Sequence, residues 1–345
     1  MSATSYAVSA KARAKFGKFL TDRDYTNILS CQSVAEVMVY LKTHTHFSRA
    51  LSEVSENEVH RGWLEMLLRQ YLFYEFDSLC RYDSGLSAGF SRYVVERTEV
   101  EQIVRFLILL NSNSTEKFIF QFPAYLDKHS DLEISKLAVA SNYDEFLDAL
   151  TKTPYYEILK QFSPDKKGRL PVSEIENKLY EHITGDMHTL IEKQSKGSER
   201  RELTDIFRRL NDYSMVSRIL RMKRYYHLEP SAIRASLMPE YGSISPKMID
   251  RMCEAETAEE VYRLLGHTGT GKLLKRNADE NYAGDNGVRL QYILAKNYLH
   301  FSNNPSVVMI SFVFLSETEL MNVITLIEGV RYRMDTKTIQ SLLIR

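Results

Sequence analysis

Thr257-Ala-Glu-Glu260-Val-Tyr-Arg-Leu-Leu265 decides the reading of this chain, because its frame, a glutamate with a leucine five residues on, is met twice before. Glu36 precedes Leu41, and Glu145 precedes Leu150, so the landmark recurs at intervals of 109 and 115 residues. A second landmark follows it each time: an acid, an apolar residue and then Ile or Val. It reads Glu99-Val100…Ile103, Asp212-Tyr213…Val216 and Glu319-Leu320…Val323, at intervals of 113 and 107. Two landmarks in constant order and pitch mark an internally repeated chain. A pitch near 110 residues is too long for a solenoid repeat and suits a small domain. The spacing predicts three similar units in tandem, 1–118, 119–232 and 233–345.

The periodicity between the landmarks is helical. Trp63, Met66, Leu67, Tyr71, Tyr74 and Leu79 fall mostly three and four apart, as do Ile175, Leu179, Ile183, Met187, Leu190 and Ile191. No stretch shows sustained period-two alternation with Asn-Gly or Asp-Gly turns, so the expected fold class is all-α. Ser33, Thr257 and Ser316 each stand three residues before an acid, which predicts capping boxes at Glu36, Glu260 and Glu319; Asn142 with Glu145 is a weaker variant. Shorter helices are expected around Tyr25–Leu29, Ile134–Val139 and Met248–Cys253. The polar run Glu192–Arg201 (EKQSKGSERR) reads as an exposed loop. Leu41, Leu150 and Leu265 are expected to be buried at equivalent places.

Composition narrows the function. The 345 residues carry 45 basic and 45 acidic side chains. That balance argues against a nucleic-acid binder, which ordinarily shows a basic surplus. Cys31, Cys80 and Cys253 are scattered, odd in number and without CxxC spacing, so they read as thiols of a reducing compartment. The first twenty residues lack the apolar core of a secretory signal. Ile103–Leu110 and Val307–Leu315 are far shorter than the roughly 20 apolar residues that cross a bilayer. Membrane contact is therefore expected only through a protein partner.

Three motifs need weighing. Gly266-His-Thr-Gly-Thr-Gly271-Lys272 resembles a phosphate-binding P-loop, the basis of an alternative reading as a P-loop NTPase. Leu273 stands where magnesium needs Ser or Thr, and the preceding segment reads as a capped helix rather than a strand. A flexible Gly-rich turn between helices is the favoured reading. His44 and His46, and His182 and His188, supply too few ligands for zinc, and neither metal, cofactor nor catalytic residues are expected. The run Arg218–Tyr226 (RILRMKRYY), echoed by Val330-Arg-Tyr-Arg333, could stack and neutralise a nucleic acid in a helical scaffold. Given zero net charge, a helix end or a protein-contact surface is favoured. The candidate contacts are Arg221, Lys223, Arg224, Tyr225, Tyr226, Arg331, Tyr332 and Arg333.

The residues also carry a resemblance. An acid-rich helix ends in Leu150…Thr153-Pro-Tyr155, and an amphipathic helix follows. An acid-led helix then runs into Lys/Arg-Tyr and a tail, Leu228-Glu-Pro-Ser-Ala-Ile233 in the second unit and Met334-Asp-Thr-Lys-Thr-Ile339 in the third. With the triplication, this is similar to the C-subunit family of bacterial and archaeal V/A-type ATPases (ATP synthases), whose eukaryotic relative is the V-ATPase d subunit. Two departures stand out: Thr45-His-Phe47 arrives one residue late, and Thr268-Gly-Thr270 replaces Thr-x-Tyr. The resemblance implies a non-enzymatic, all-helical funnel or socket of three domains with pseudo-threefold arrangement. It would be a peripheral component at the cytoplasmic face, seated on the membrane rotor ring and receiving the D and F proteins of the central shaft. It would thereby couple ATP hydrolysis or synthesis to H+ or Na+ transport.

Overall fold

A computed structural model describes residues 3–55, 60–80, 86–118, 129–277 and 286–345, and their regular structure is helical, with no strand among them. Two compact units emerge: Ala88–Lys193 is one, and Met1–Ser87 with Gln194–Arg345 is the other.

The Ala88–Lys193 unit holds most of α5 (Leu86–Asn111), then α6 (Ile134–Leu137), α7 (Tyr143–Ala149), α8 (Tyr156–Leu159) and α9 (Val172–Gln194). Its core joins Val100, Ile103, Phe106 and Leu107 of α5 to Phe146, Leu150, Tyr155, Ile175 and Leu179. Phe106 stacks on Phe146 with ring centroids 4.6 Å apart.

In the other unit two apolar clusters among the described residues bear on the landmarks. One combines α2 (Asp22–Leu29), α3 (Val34–His44) and α4 (Arg61–Cys80) with α16 (Pro305–Arg331) and α17 (Thr336–Leu342). Val37, Met38, Leu41 and Phe47 pack there against Leu320, Val323, Leu326 and Ile327. Along α16 runs α1 (Ala3–Phe16), whose Arg13 donates to the carbonyls of Leu299 (2.8 Å) and Ser302 (2.7 Å) at the end of α15 (Asn286–Phe301). The last core combines α10 (Gly197–Arg221) with α11 (Pro230–Ala235), α12 (Pro246–Glu254), α13 (Ala258–Gly266) and α14 (Gly269–Arg276). In each of these clusters a long helix bearing a second-landmark acid meets short helices that follow it in the sequence or, for α16, that lie near the chain's start.

The first landmark is a helix start, as its spacing predicts. On α3 the Glu36 N–H donates to Ser33 Oγ (3.2 Å) while its carboxylate accepts from the Gln32 N–H (2.8 Å). On α7 the Glu145 N–H donates to Asn142 Oδ1 (3.0 Å), and the carboxylate accepts from the Ser141 N–H (2.8 Å). On α13 Thr257 and Glu256 take these places at 3.1 and 3.4 Å. Each carboxylate thus reaches one residue past the cap, and orphan N–H groups at the helix start are satisfied. Leu41, Leu150 and Leu265, at the far ends of these helices, are all buried.

Three expectations are corrected. Ser316 caps nothing: it lies in the middle of α16 and its Oγ donates to the Phe312 carbonyl at 2.8 Å. A Ser-x-x-Glu spelling cannot distinguish a cap from a mid-helix serine bonded back one turn. The run Glu192–Arg201 is not a loop, because α9 continues to Gln194 and α10 begins at Gly197. Ser195, between them, is buried, and its carbonyl accepts from Arg200 Nε at 2.9 Å. Gly197 supplies the turn with a φ of +59°. Finally, Val307–Leu315 belongs to a helix of 27 residues that is long and apolar enough to cross a bilayer, but 83% of its most apolar window is buried inside the protein.

Candidate functional site

The second landmark is where the repeat acquires chemistry. Glu99, Asp212 and Glu319 are carboxylates on apolar faces of long helices, and at 0, 0 and 3% exposure they are among the most buried charged groups described. Burying a carboxylate is costly unless donors surround it, and each has them. Glu99 accepts from Ser130 Oγ (2.7 Å), the Asp131 N–H (3.0 Å) and the Tyr155 hydroxyl (2.5 Å), and Arg92 lies 3.3 Å away. Burial, reinforced by the Glu99 charge, raises the Tyr155 pKa, so the phenol keeps the proton it donates. Asp212 accepts from the N–H groups of Ser243 (2.7 Å) and Ile244 (3.0 Å), from Ser243 Oγ, and from Thr270 Oγ1 (2.8 Å). Glu319 accepts from the Leu20 N–H (2.7 Å) and pairs with His46 Nε2 (2.9 Å).

One arrangement is made three times with different letters. Backbone N–H groups near Leu20, Asp131 and Ser243 come from the segment before or at a short helix. The side-chain donor comes from the turn after the first-landmark leucine. In that turn a threonine hydroxyl first donates to the landmark leucine's carbonyl: Thr45 to Leu41 (2.6 Å), Thr153 to Leu150 (2.8 Å), Thr268 to Leu265 (2.7 Å). Just beyond stand His46, Tyr155 and Thr270, the three donors to the acids. The two sequence departures therefore fall on the position that faces the carboxylate, and in both a different donor, imidazole or hydroxyl, serves the same acceptor.

The helices end alike too. Asn113, His227 and Arg333, 14, 15 and 14 residues beyond the three acids, share left-handed φ values of 50°, 48° and 52°. The extra residue in the middle copy is absorbed by a π-helical turn, Met222–Tyr226. After α5 and α16 the chain then folds back as a C-terminal cap, with Ser114 N–H donating to the Leu109 carbonyl and Met334 N–H to the Gly329 carbonyl, both at 2.9 Å.

The P-loop spelling has a packing explanation. Thr268 caps α14, accepting from the Gly271 N–H at 3.0 Å, and buried Thr270 serves Asp212. A Cβ at Gly271 would lie 1.9 Å from the Leu265 carbonyl oxygen, so the glycine lets α14 start against the end of α13. The segment leaves a helix, the Thr270 hydroxyl is already bonded to Asp212, and the N–H groups of Thr268, Gly271 and Lys272 are bonded within the turn. Gly271→Ala should cost about 1–3 kcal/mol in a denaturant titration, whereas Lys272→Ala should leave both stability and the ATP-binding isotherm unchanged. The favoured reading as a flexible turn is corrected to a tightly packed one.

The basic-aromatic residues divide. Lys223 Nζ donates to the Cys253 carbonyl, a structural use. Arg221, Arg224 and Tyr225 are exposed at the end of α10, and Arg331, Tyr332 and Arg333 at the end of α16; Tyr226's side chain lies outside the described residues. Tyr225 and Tyr332 are 66 and 64% exposed, so their rings do not pack inward as a plain helix end would have them. Arg224 lies over the Tyr225 ring at 5.4 Å and Arg331 over Tyr332 at 5.1 Å. Sequence and structure thus repeat an Arg–Tyr cation–π pair at two helix ends. No ion pair or ring contact among the described residues joins the two runs.

Among the histidines, His46 is the one the sequence undervalued. It follows the end of α3 directly, stacks on Phe19 (5.7 Å, 17° between planes), and is bonded to Glu319. Burial raises the Glu319 pKa against the lowering effects of His46 and the Leu20 N–H. A carboxyl group whose pKa is higher folded than unfolded contributes most below the ordinary glutamate range and loses that contribution as pH rises through its elevated value. Glu319→Gln should accordingly flatten the decline of stability with rising pH, measured as denaturation midpoints across that window. Among the described residues, no three His, Cys, Asp or Glu side chains converge as metal ligands.

Buried carboxylates fully engaged in holding backbone, with exposed Arg–Tyr pairs at helix ends, define an all-helical, internally repeated protein whose outward features suit contact. The chain belongs to the ATP synthase (C/AC39) subunit family, whose model matches residues 8–342. Among curated relatives, the C subunit of the A-type ATP synthase of Methanosphaera stadtmanae is 24% identical over 161 residues. That match takes in 46% of this chain and 38% of the relative, so the chain spans well under half of that protein's length.

Proposed function

We propose that this protein is the non-catalytic central-stalk component of a V/A-type ATPase, a rotor part linking the D and F shaft proteins to the membrane ring. Family membership supports the complex, and the threefold recurrence of the buried carboxylate arrangement supports the role. A coupler must transmit torque without yielding, and close-packed helices pinned by buried carboxylates that each hold several donors resist deformation. The carboxylates are consumed in that pinning, which leaves them no part in turnover. The three units 1–118, 119–232 and 233–345 are the sequence form of this design. In this reading ATP chemistry occurs elsewhere, and ions, H+ or Na+, cross the membrane in the ring. The exposed Arg–Tyr pairs at Arg224–Tyr225 and Arg331–Tyr332 are the proposed contact points, since Arg and Tyr are enriched where proteins meet. Purification of the ATPase from native membranes tests the proposal. The chain should be retained with D, F and the ring, and loss of the chain should release the soluble head from the membrane. A fully coupled complex lacking it would end the proposal.

A further inference from the structure

A basic cluster coincides with a formed cavity beside the Glu319–His46 pair. The cavity, of about 330 Å³, opens between α1, the turn after α3, α4 and α16. Lys15, Lys18 and Arg49 line it, and Glu75 is the one carboxylate on its described wall, so three fixed cations face a single acid. Glu75 pairs with Lys15. Lys18 and Arg49 form no ion pair among the described residues, and both are exposed. Tyr71 and His46 complete the inner wall, with His46 Nε2 already committed to Glu319.

Like charges gathered around a void repel one another. Burial lowers the Lys15 pKa, and Lys11, Lys18 and Arg49 lower it further. Nothing in the packing requires this gathering, since Lys18 and Arg49 could have been neutral without loss of an ion pair. An anion placed among them would relieve the repulsion and gain charge-assisted hydrogen bonds. The volume sits at the small end of ligand pockets, which suits a compact anion rather than a protein segment.

From this geometry we infer a binding site for a small soluble phosphoryl anion, held by Lys18 and Arg49 with Lys15, directly beside the His46–Glu319 pair. Glu75 opposes the anion and limits the site to ligands that bring more than one negative charge. The site is independent of the rotor reading, since it concerns the isolated chain.

Pyrophosphate is the probe. Titrated into the full-length protein at constant ionic strength set with chloride, it should bind saturably by calorimetry and raise the thermal midpoint. Arg49→Gln and Lys18→Gln, both at exposed positions, should each weaken binding at least tenfold, while the midpoint without ligand holds or rises slightly as repulsion is relieved. Lys178→Gln, on α9 and paired with Glu181, should bind as the parent does. Chloride alone matching the effect, or full affinity in both variants, would overturn the site. Capture by vesicles containing phosphatidic acid, with no response to pyrophosphate, would overturn the soluble ligand in favour of a lipid headgroup.

Discussion

Glu99→Ala is expected to lower stability by about 3–5 kcal/mol, the loss that follows when a buried, hydrogen-bonded charge is removed from its partners. The substitution leaves the Ser130 hydroxyl, the Asp131 N–H and the Tyr155 hydroxyl without their acceptor. The Tyr155 hydroxyl is buried, and an orphaned buried donor costs about 1–3 kcal/mol; the half-buried Ser130 and exposed Asp131 donors add less. Arg92 is not stranded, because Glu96 (2.9 Å) and Asp131 (3.0 Å) also hold it, so the loss is of hydrogen bonds to a carboxylate and not of an isolated pair. Glu99→Gln keeps an oxygen for some of these donors and should recover part of the loss. The check is a denaturant titration followed by hydrogen exchange, with protection lost first around Asp131 and Tyr155. A Glu99→Ala protein as stable as the parent would show that the recurring carboxylates are incidental.

Leu150→Ala should cost about 2–5 kcal/mol, as should Leu41→Ala and Leu265→Ala, the usual range for emptying a closed apolar site. Leu41 and Leu150 have no exposure and Leu265 has 4%. The three carbonyls also accept the threonine hydroxyls that set the donor turns. Any shift of the backbone into the vacated space therefore moves His46, Tyr155 or Thr270 relative to its acid. Leu150→Ala combined with Glu99→Ala should cost less than the sum of the separate changes, because the two sites share the turn. Strict additivity in that cycle would disconnect the two landmarks.

The all-helical class and the helix starts at Ser33, Asn142 and Thr257 were legible because apolar periodicity and capping are local properties. The same locality explains the Ser316 error, since a capping spelling inside a continuous apolar helix carries no mark of its surroundings. The landmark acids were visible as a recurring letter, and their role was not. Burial on α5 and α10 depends on donors such as Tyr155 and Thr270, 56 and 58 residues away. On α16 the donors stand at the other end of the chain. His46 shows the limit best. Its neighbours in sequence suggest a solvated turn, and its bond to Glu319, 273 residues away, ties it to α16. The basic-aromatic run is continuous in sequence, yet Lys223 turns inward while Arg224 and Tyr225 turn out, a division that helix phase within a π turn decides.

The placement of α16 has a consequence for biosynthesis. Leu41, Phe47 and the rest of that core lean on Leu320, Val323 and Ile327, which a ribosome adds roughly 280 residues after Leu41. At typical elongation rates of about 5–20 residues per second, the nascent amino-terminal helices wait for on the order of tens of seconds with an open apolar flank. The Ala88–Lys193 body, whose packing partners are contiguous, can close meanwhile. Chaperone crosslinking to stalled chains should accordingly concentrate on α2 to α4 and fade only once α16 has emerged.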